Sequence, residues 1–540
     1  MGNHVDATDS GRYDYLIVGA GTSGSVVAAG LAERSGGTVA VFEAGRSDRR
    51  PEVKTPGRFG ELFATEHDWN YVTADQRHLG GRRLVWPRGR ILGGSASINA
   101  QMWVRGHRAD YDEWGQQCPG WSFADVEPYF RRAERRQGSN HDGLYGTDGP
   151  QWVTDLRDQN PLTGAFLSAC AESGLRELPE LNTPDNTGFA PTVVTQRRGR
   201  RWSVVDGYLR PARRHTGLHV VTDAHVRRVL LAEQRAVGVE YQDGTGAVRR
   251  AMARREVVLC AGTIGSPHLL MLSGIGDPEQ LAAAGVGAVH PLSGVGRNLR
   301  DHPSIGLYQA TAEPVSLLHA RTLPNLLRYH VLGRGPLSSN AGEAVAFIGS
   351  GPGLAAPDLE LLWAPIPRSF RDVSDDDAHG ITIDVILLRP DSHGRVALVD
   401  ADPTVSPMVD PDYLRQESDT RRLVTGLRFA ERLCATDALA ARLAGPMSPY
   451  PGPVDDQAAE DYVRRHLLTL YHPIGTCRMG TDEEAVVDPT LRVRGIDGLR
   501  VVDASVLPVM PRGHTMAPAV MLAERAVDLI TERARVPESA

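Results

Sequence analysis

The sequence predicts an α/β chain in two parts: a doubly wound sheet, discontinuous in sequence, with a second domain inserted through its middle. Three observations predict it. Residues 13–18 read as a short buried strand that runs into a glycine-punctuated turn and then an Ala/Val-rich helix ending near Arg34. Residues 310–460 change character, with many prolines, mixed apolar strands such as 381–388 and no glycine-rich turn of that kind. From about Tyr462 the glycine-punctuated strand and helix patterns return. A length of 540 residues also favours two joined domains over one very large core.

The first unit is the most explicit. Gly19-Ala20-Gly21-Thr22-Ser23-Gly24 follows the strand and opens the helix. Gly19 permits the tight turn, Gly21 lets backbone approach a pyrophosphate, and Gly24 lets helix and strand pack closely. The helix start offers oriented N–H groups to negative phosphates, Thr22 and Ser23 among them. A second strand, 38–42, ends at Glu43, nineteen residues after Gly24, where a carboxylate can accept from ribose hydroxyls. That side chain is expected to serve the ligand and not the core. Residues 51–92, rich in Gly, Arg and Trp, are expected as long loops. Residues 111–137 are expected to be largely helical. Residues 218–260 alternate Val and Leu around a turn at Asp243-Gly244, which predicts a small antiparallel sheet ending at Val257-Val258-Leu259.

Bulk composition excludes several classes. A hydrophobic fraction of 41% and a charged fraction of 23% are those of an ordinary globular chain. A net charge of -7 argues against a nucleic-acid partner, which calls for a basic surface. No apolar run approaches the roughly 18 residues that span a bilayer. Five scattered cysteines without a CxxC pair predict neither a disulfide framework nor a metal site. With a polar N-terminus, the expected location is cytoplasmic.

Several further stretches carry a resemblance to a family. Residues 89–106, GRILGGSASINAQMWVRG, precede Asp110-Tyr111-Asp112-Glu113-Trp114. Residues 262–276 read GTIGSPHLLMLSGIG, residues 294–302 read GVGRNLRDH, and Val501-Val502-Asp503-Ala504-Ser505 leads to Gly513-His514. In this order the chain resembles the glucose–methanol–choline (GMC) flavoprotein oxidoreductases along nearly its whole length.

The resemblance implies FAD. It implies a Rossmann-like FAD-binding domain from 10–160, 200–310 and 462–535, and an α+β substrate domain on an antiparallel sheet from 161–199 and 311–461. Gly19, Gly21, Thr22, Ser23, Gly24 and Glu43 would hold the ADP half, with Val226 facing the adenine. Gly94, Ser95 and Asn99 would lie along the flavin ring, Asp503 near the ribityl–pyrophosphate part, and Met516 beside the cofactor. Some members attach flavin through a histidine immediately before the Asn of this loop. Ile98 stands there, so non-covalent FAD is expected.

Two histidines carry the chemistry. His472, in YHPIGTCRMG, matches the family's catalytic base, and His514, in GHTMAP, its second position. Histidine titrates near neutrality and can take a proton from a hydroxyl. The implied reaction is oxidation of a small-molecule alcohol to an aldehyde or ketone. His472 removes the hydroxyl proton, His514 hydrogen-bonds the same oxygen, and hydride passes to flavin N5. O2 or another electron acceptor then reoxidises the flavin. The family also contains hydroxynitrile lyases, which perform acid/base cleavage without net redox chemistry. Cys477 is read as packing and Arg197 to Arg201 as a solvated basic loop. Tyr471, Trp103, Met516 and Arg512 are candidate pocket residues. His268, His302 and Asn340 receive no role.

Overall fold

A computed structural model describes residues 8–318, 320–367 and 378–535. Two seven-stranded sheets organise them. In the first, the order runs Leu218–Val221, Val39–Phe42, Thr8–Val18, Val248–Leu259, Arg235–Gln242, His225–Ala232, with Leu499–Val501 also on Val248–Leu259. Its centre is parallel: Tyr15 to Val18 register against Val39 to Phe42 on one side and Glu256 to Leu259 on the other. Tyr15, Leu16, Ile17 and Val18 are all buried, as expected for a strand covered on both faces.

The antiparallel hairpins expected at 218–260 are present, but they are not a separate sheet. Val248–Leu259 is twelve residues long and belongs to both arrangements. Its first half pairs antiparallel with Arg235–Gln242, while Val257 to Leu259 pair in parallel with Leu499 to Val501. Nearly the whole strand pairs in parallel with Thr8–Val18, while its polar beginning also carries the hairpin on its other edge.

The helix Thr22–Arg34 covers this sheet and packs against the C-terminal helix Met516–Arg535. Ser23 Oγ donates to Ala519 O across that contact at 3.1 Å. The start of the last helix is thereby held beside the glycine turn. Within 111–137 the helices are Arg108–Gln117 and Phe123–Ala133, and Glu134–Gln137 is a strand. Helix gives way there because buried Glu134 turns inward to bind Arg105 and the Trp103 indole. Residues 51–92 form short helical turns and one small strand pair, Tyr71–Val72 with Val85–Trp86.

The second sheet is antiparallel, in the order Leu443–Pro446, Pro303–Thr311, Gly380–Leu387, Leu359–Ala364, Ala344–Ile348, Gly188–Pro191. The helix Glu417–Cys434 lies over it through Leu423, Leu427, Ala430 and Leu433. Two of its strands, Pro303–Thr311 and the short Leu468–Thr469, fall largely or wholly in ranges assigned from sequence to the FAD-binding part. Both strand pairing and burial place them in the second sheet. Among the described residues no helix is long and apolar enough to cross a membrane.

Candidate active site

A cavity of about 790 Å³ runs between the two sheets. Its lining includes the glycine turn, Glu43, the loop around Gly94, and residues of the second sheet such as Ser304, Leu362 and Asp384. Gly19, Gly21, Thr22, Ser23, Glu43, Gly94, Ser95, Asn99, Val226, His472, Asp503, His514 and Met516 all line it. Gly24 does not. A Cβ at Gly24 would lie 1.9 Å from Gly19 O, so that glycine closes the turn and makes room for nothing else.

The turn fits a dinucleotide. Gly21 caps the helix without a side-chain hydrogen bond, so the first N–H groups of the helix are left for an anion. A Cβ at Gly21 would meet only Gly94 Cα, at 3.8 Å, whereas one at Gly94 would lie 2.8 Å from Gly21 Cα. The two glycine loops therefore approach one another backbone to backbone at the cavity wall. Larger side chains there would fill the space a pyrophosphate needs.

Glu43 does more than the sequence suggested. Its Oε2 accepts from Ala20 N at 2.9 Å and its Oε1 from Gly45 N at 2.8 Å. Burial raises its pKa to about 7, against the opposing pull of these two N–H groups and of Arg90. It braces the turn while each oxygen keeps a lone pair for a ribose hydroxyl. Asp503 is likewise a fastener. It accepts from Gly262 N at 2.9 Å, Ser266 Oγ at 2.6 Å and Ser505 N at 2.8 Å, joining the starts of two helical segments at the cavity.

Asn99 is fixed from behind by a residue that the sequence reading left in a solvated loop. Arg201 is buried, and its guanidinium donates to Asn99 Oδ1 at 2.6 Å, Asn99 O at 2.7 Å and Val53 O at 2.8 Å. Burial lowers its pKa to about 9. Arg197, Arg198 and Arg200 are exposed as expected; Arg201 is the correction. Asn99 Nδ2 reaches Met516 Sδ at 3.2 Å, closing the loop onto the last helix. Ile98 is buried with Val53, Leu62 and Ile91.

At the other end three histidines meet. The rings of His472 and His514 have centroids 4.8 Å apart, and those of His472 and His302 5.3 Å apart. His472 Nδ1 lies 3.1 Å from His302 Nδ1, whose Nε2 lies 3.1 Å from Leu388 O. His514 Nε2 lies 3.0 Å from Glu360 Oε1. The His472 backbone N–H donates to Asp301 Oδ1 at 2.6 Å, and Asp301 is held in turn by the hydroxyls of Tyr413 and Thr469. Burial, reinforced by His514, His302 and Arg88, holds His472 well below the usual imidazole pKa. It is neutral at pH 7, the form that accepts a proton.

Sequence reasoning assigned nothing to His302, Glu360 or Asp384. His302 follows Asp301 in the family stretch already quoted, so its position was visible but its contact was not. Glu360 and Asp384 are carboxylates inside otherwise apolar strands, LELLWA and GITIDVIL. That pattern is itself a signal, because an unpaired charge in a buried strand is costly. Burial, with the charge of Glu360, raises Asp384 to about 7.

Of the candidate pocket residues, Tyr471 and Met516 line the cavity. Trp103 is buried elsewhere, and Arg512 lines a smaller cavity, where it pairs with Asp110. Cys477 is fully buried, and burial pushes its thiol pKa well up, in keeping with packing. His268 lines the cavity, its Nε2 without a partner among the described residues, and Asn340 donates to Ala100 O.

A pair of histidines and a dinucleotide cradle line one cavity, the arrangement of an oxidoreductase site. Residues 13–304 and 390–523 match the two family models described as GMC oxidoreductase, and the chain belongs to that family. It is 44% identical over 524 residues to an uncharacterized GMC-type oxidoreductase of Mycobacterium tuberculosis, covering 96% of this chain and 99% of that one. It is 35% identical over 530 residues to an alcohol dehydrogenase (acceptor) of Pseudomonas putida, covering 96% of each. Among solved structures it is similar to a pyridoxine 4-oxidase from Mesorbium loti, with a TM-score of 0.87 and 30% identity over 95% of this chain and 98% of that one. Family membership makes FAD the cofactor.

Proposed function

We propose that this protein oxidises an alcohol to an aldehyde or ketone, with O2 or another acceptor taking the electrons. The observation that carries the reading is the adjacency of His472 and His514 on the wall of the cavity that also holds the glycine cradle. Bound non-covalently, FAD supplies the hydride acceptor. Gly19, Gly21, Thr22, Ser23 and Glu43 would hold its ADP half, and Gly94, Ser95 and Asn99 would lie along its ring system.

The protein's own contribution is acid/base and positional. His472, neutral and half-buried at the cavity wall, takes the hydroxyl proton. Among the described residues its Nε2 has no hydrogen-bond partner, so a substrate hydroxyl meets no competitor there. His514 hydrogen-bonds the same oxygen and stabilises the developing alkoxide. Its Nε2 is committed to Glu360, which leaves Nδ1 for that task. Burial among apolar strands excludes water and strengthens each of these contacts.

The test is anaerobic mixing of holoenzyme with a panel of alcohols, watching the flavin absorbance. Bleaching by an alcohol, with slowing on the order of 100-fold or more in His472→Ala and a milder loss in His514→Asn, is expected for a lost general base. A flavin that no alcohol bleaches would overturn the redox reading.

A further inference from the structure

We propose that His302 fixes the tautomer of His472 and thereby makes Nε2 the basic atom presented to the cavity. This rests on His472 being the base, as argued above.

Leu388 O can only accept, and it lies 3.1 Å from His302 Nε2, so that nitrogen carries the hydrogen. His302 is fully buried just ahead of the strand Pro303–Thr311. Burial, reinforced by His514 and Arg389 against the carbonyls of Leu388 and Pro511, lowers its pKa to about 3. It is therefore neutral, and its Nδ1 is a bare lone pair. That lone pair faces His472 Nδ1 at 3.1 Å. Two lone pairs at that distance repel, whereas an N–H opposite a lone pair attracts, so His472 Nδ1 carries a hydrogen.

His472 is neutral as well, which leaves its Nε2 without one. A chain of two hydrogen bonds from one backbone carbonyl thus aims a lone pair into the cavity. After proton transfer the imidazolium keeps the same Nδ1–H to His302, so nothing has to reorganise. Without His302 the hydrogen could sit on Nε2, and that form is no base.

The other charged groups around the pair do not supply this control. Asp301 takes the His472 backbone N–H, and Arg88 donates to the carbonyls of Pro87 and Tyr471. Glu360 is occupied by His514. His302 is a positioning residue. It acts through His472.

Holoenzyme carrying 15N-labelled histidine tests the assignment in the wild-type chain at pH 8. The His472 signals, identified by their loss in His472→Gln, are expected to show a protonated Nδ1 and a lone-pair Nε2. The reverse pattern overturns the proposal, whether or not any alcohol turns over. In anaerobic flavin reduction, His302→Leu is expected to lower the limiting rate on the order of tenfold or more, by the same factor from pH 7 to 9, because it misplaces a hydrogen and not a charge. Substrate affinity should hold. His302→Asn, whose Oδ1 can take the place of Nδ1 as acceptor, should recover most of that loss. Equal losses in both variants, or wild-type rates in His302→Leu, overturn it.

Discussion

His514 Nε2 lies 3.0 Å from Glu360 Oε1, and this contact decides which edge of the imidazole remains for a ligand. The carboxylate accepts, so Nε2 is a donor in either charge state, and the second carboxylate oxygen is buried with no partner among the described residues. Glu360→Gln keeps the shape but lets the amide present either end to the ring. The expected result is retained FAD with anaerobic flavin reduction slowed about 10-fold, the scale of one charge-assisted hydrogen bond. An unchanged reduction rate would remove Glu360 from the site.

The cofactor end makes its own prediction. Glu43→Ala removes ribose acceptors, and it also strands the buried N–H groups of Ala20 and Gly45. Each stranded donor costs roughly 1–3 kcal/mol. Thermal unfolding of the apoprotein should therefore fall together with FAD affinity, and Glu43→Gln should recover part of both. Weaker FAD binding with no change in apoprotein unfolding would restrict Glu43 to the ligand alone.

Much of this was legible in the sequence, because the dinucleotide turn is local. Strand, glycines, helix and Glu43 lie within one stretch of chain, and each glycine has a steric reason that a sequence displays. The two histidines were legible because their surroundings form a recognisable motif. The second histidine layer was not. Glu360 and Asp384 come from neighbouring strands whose register, Leu362 opposite Asp384, exists only once the second sheet is paired. Arg201 was hidden for a similar reason: among four arginines in five residues nothing marks the one that turns inward to the carbonyls of Val53 and Ala96 and to Asn99. The double use of Val248–Leu259 was also invisible, since periodicity reports a strand but not which strands it pairs with or in which direction.

Non-covalent attachment is tested directly. Ile98, the residue before Asn99, is an alkyl side chain packed among Val53, Leu62 and Ile91, with no atom able to bond to flavin. Acid precipitation should leave a yellow supernatant and a colourless pellet. Flavin that stays with the pellet would require a different point of attachment.

The pH dependence of reduction follows from the sign of the His472 shift. Burial, with His514, His302 and Arg88 beside it, lowers its pKa, so the base is already neutral at pH 7. Protonation removes it only as the pH falls below the ordinary imidazole range. Limiting rates measured anaerobically should be flat from pH 7 to 9 and fall only below the ordinary imidazole range. A rate that climbs steadily between pH 7 and 9 would assign the base to another group.

Asp384 gives the opposite sign in stability. Its folded pKa is raised to about 7 from the usual 3.8, so between those values the folded chain holds a proton that the unfolded chain has lost. Stability from this site is present below the unfolded pKa and declines as the pH rises toward 7. Asp384→Asn removes the ionisation while keeping the size. At pH 8 the apoprotein variant should melt about 1–3 °C above wild type, a modest shift because the chain is long, and at pH 4 the two should coincide. Equal differences at both pH values would mean that the carboxyl ionises as freely in the fold as in solution, and that the cavity places no demand on its charge.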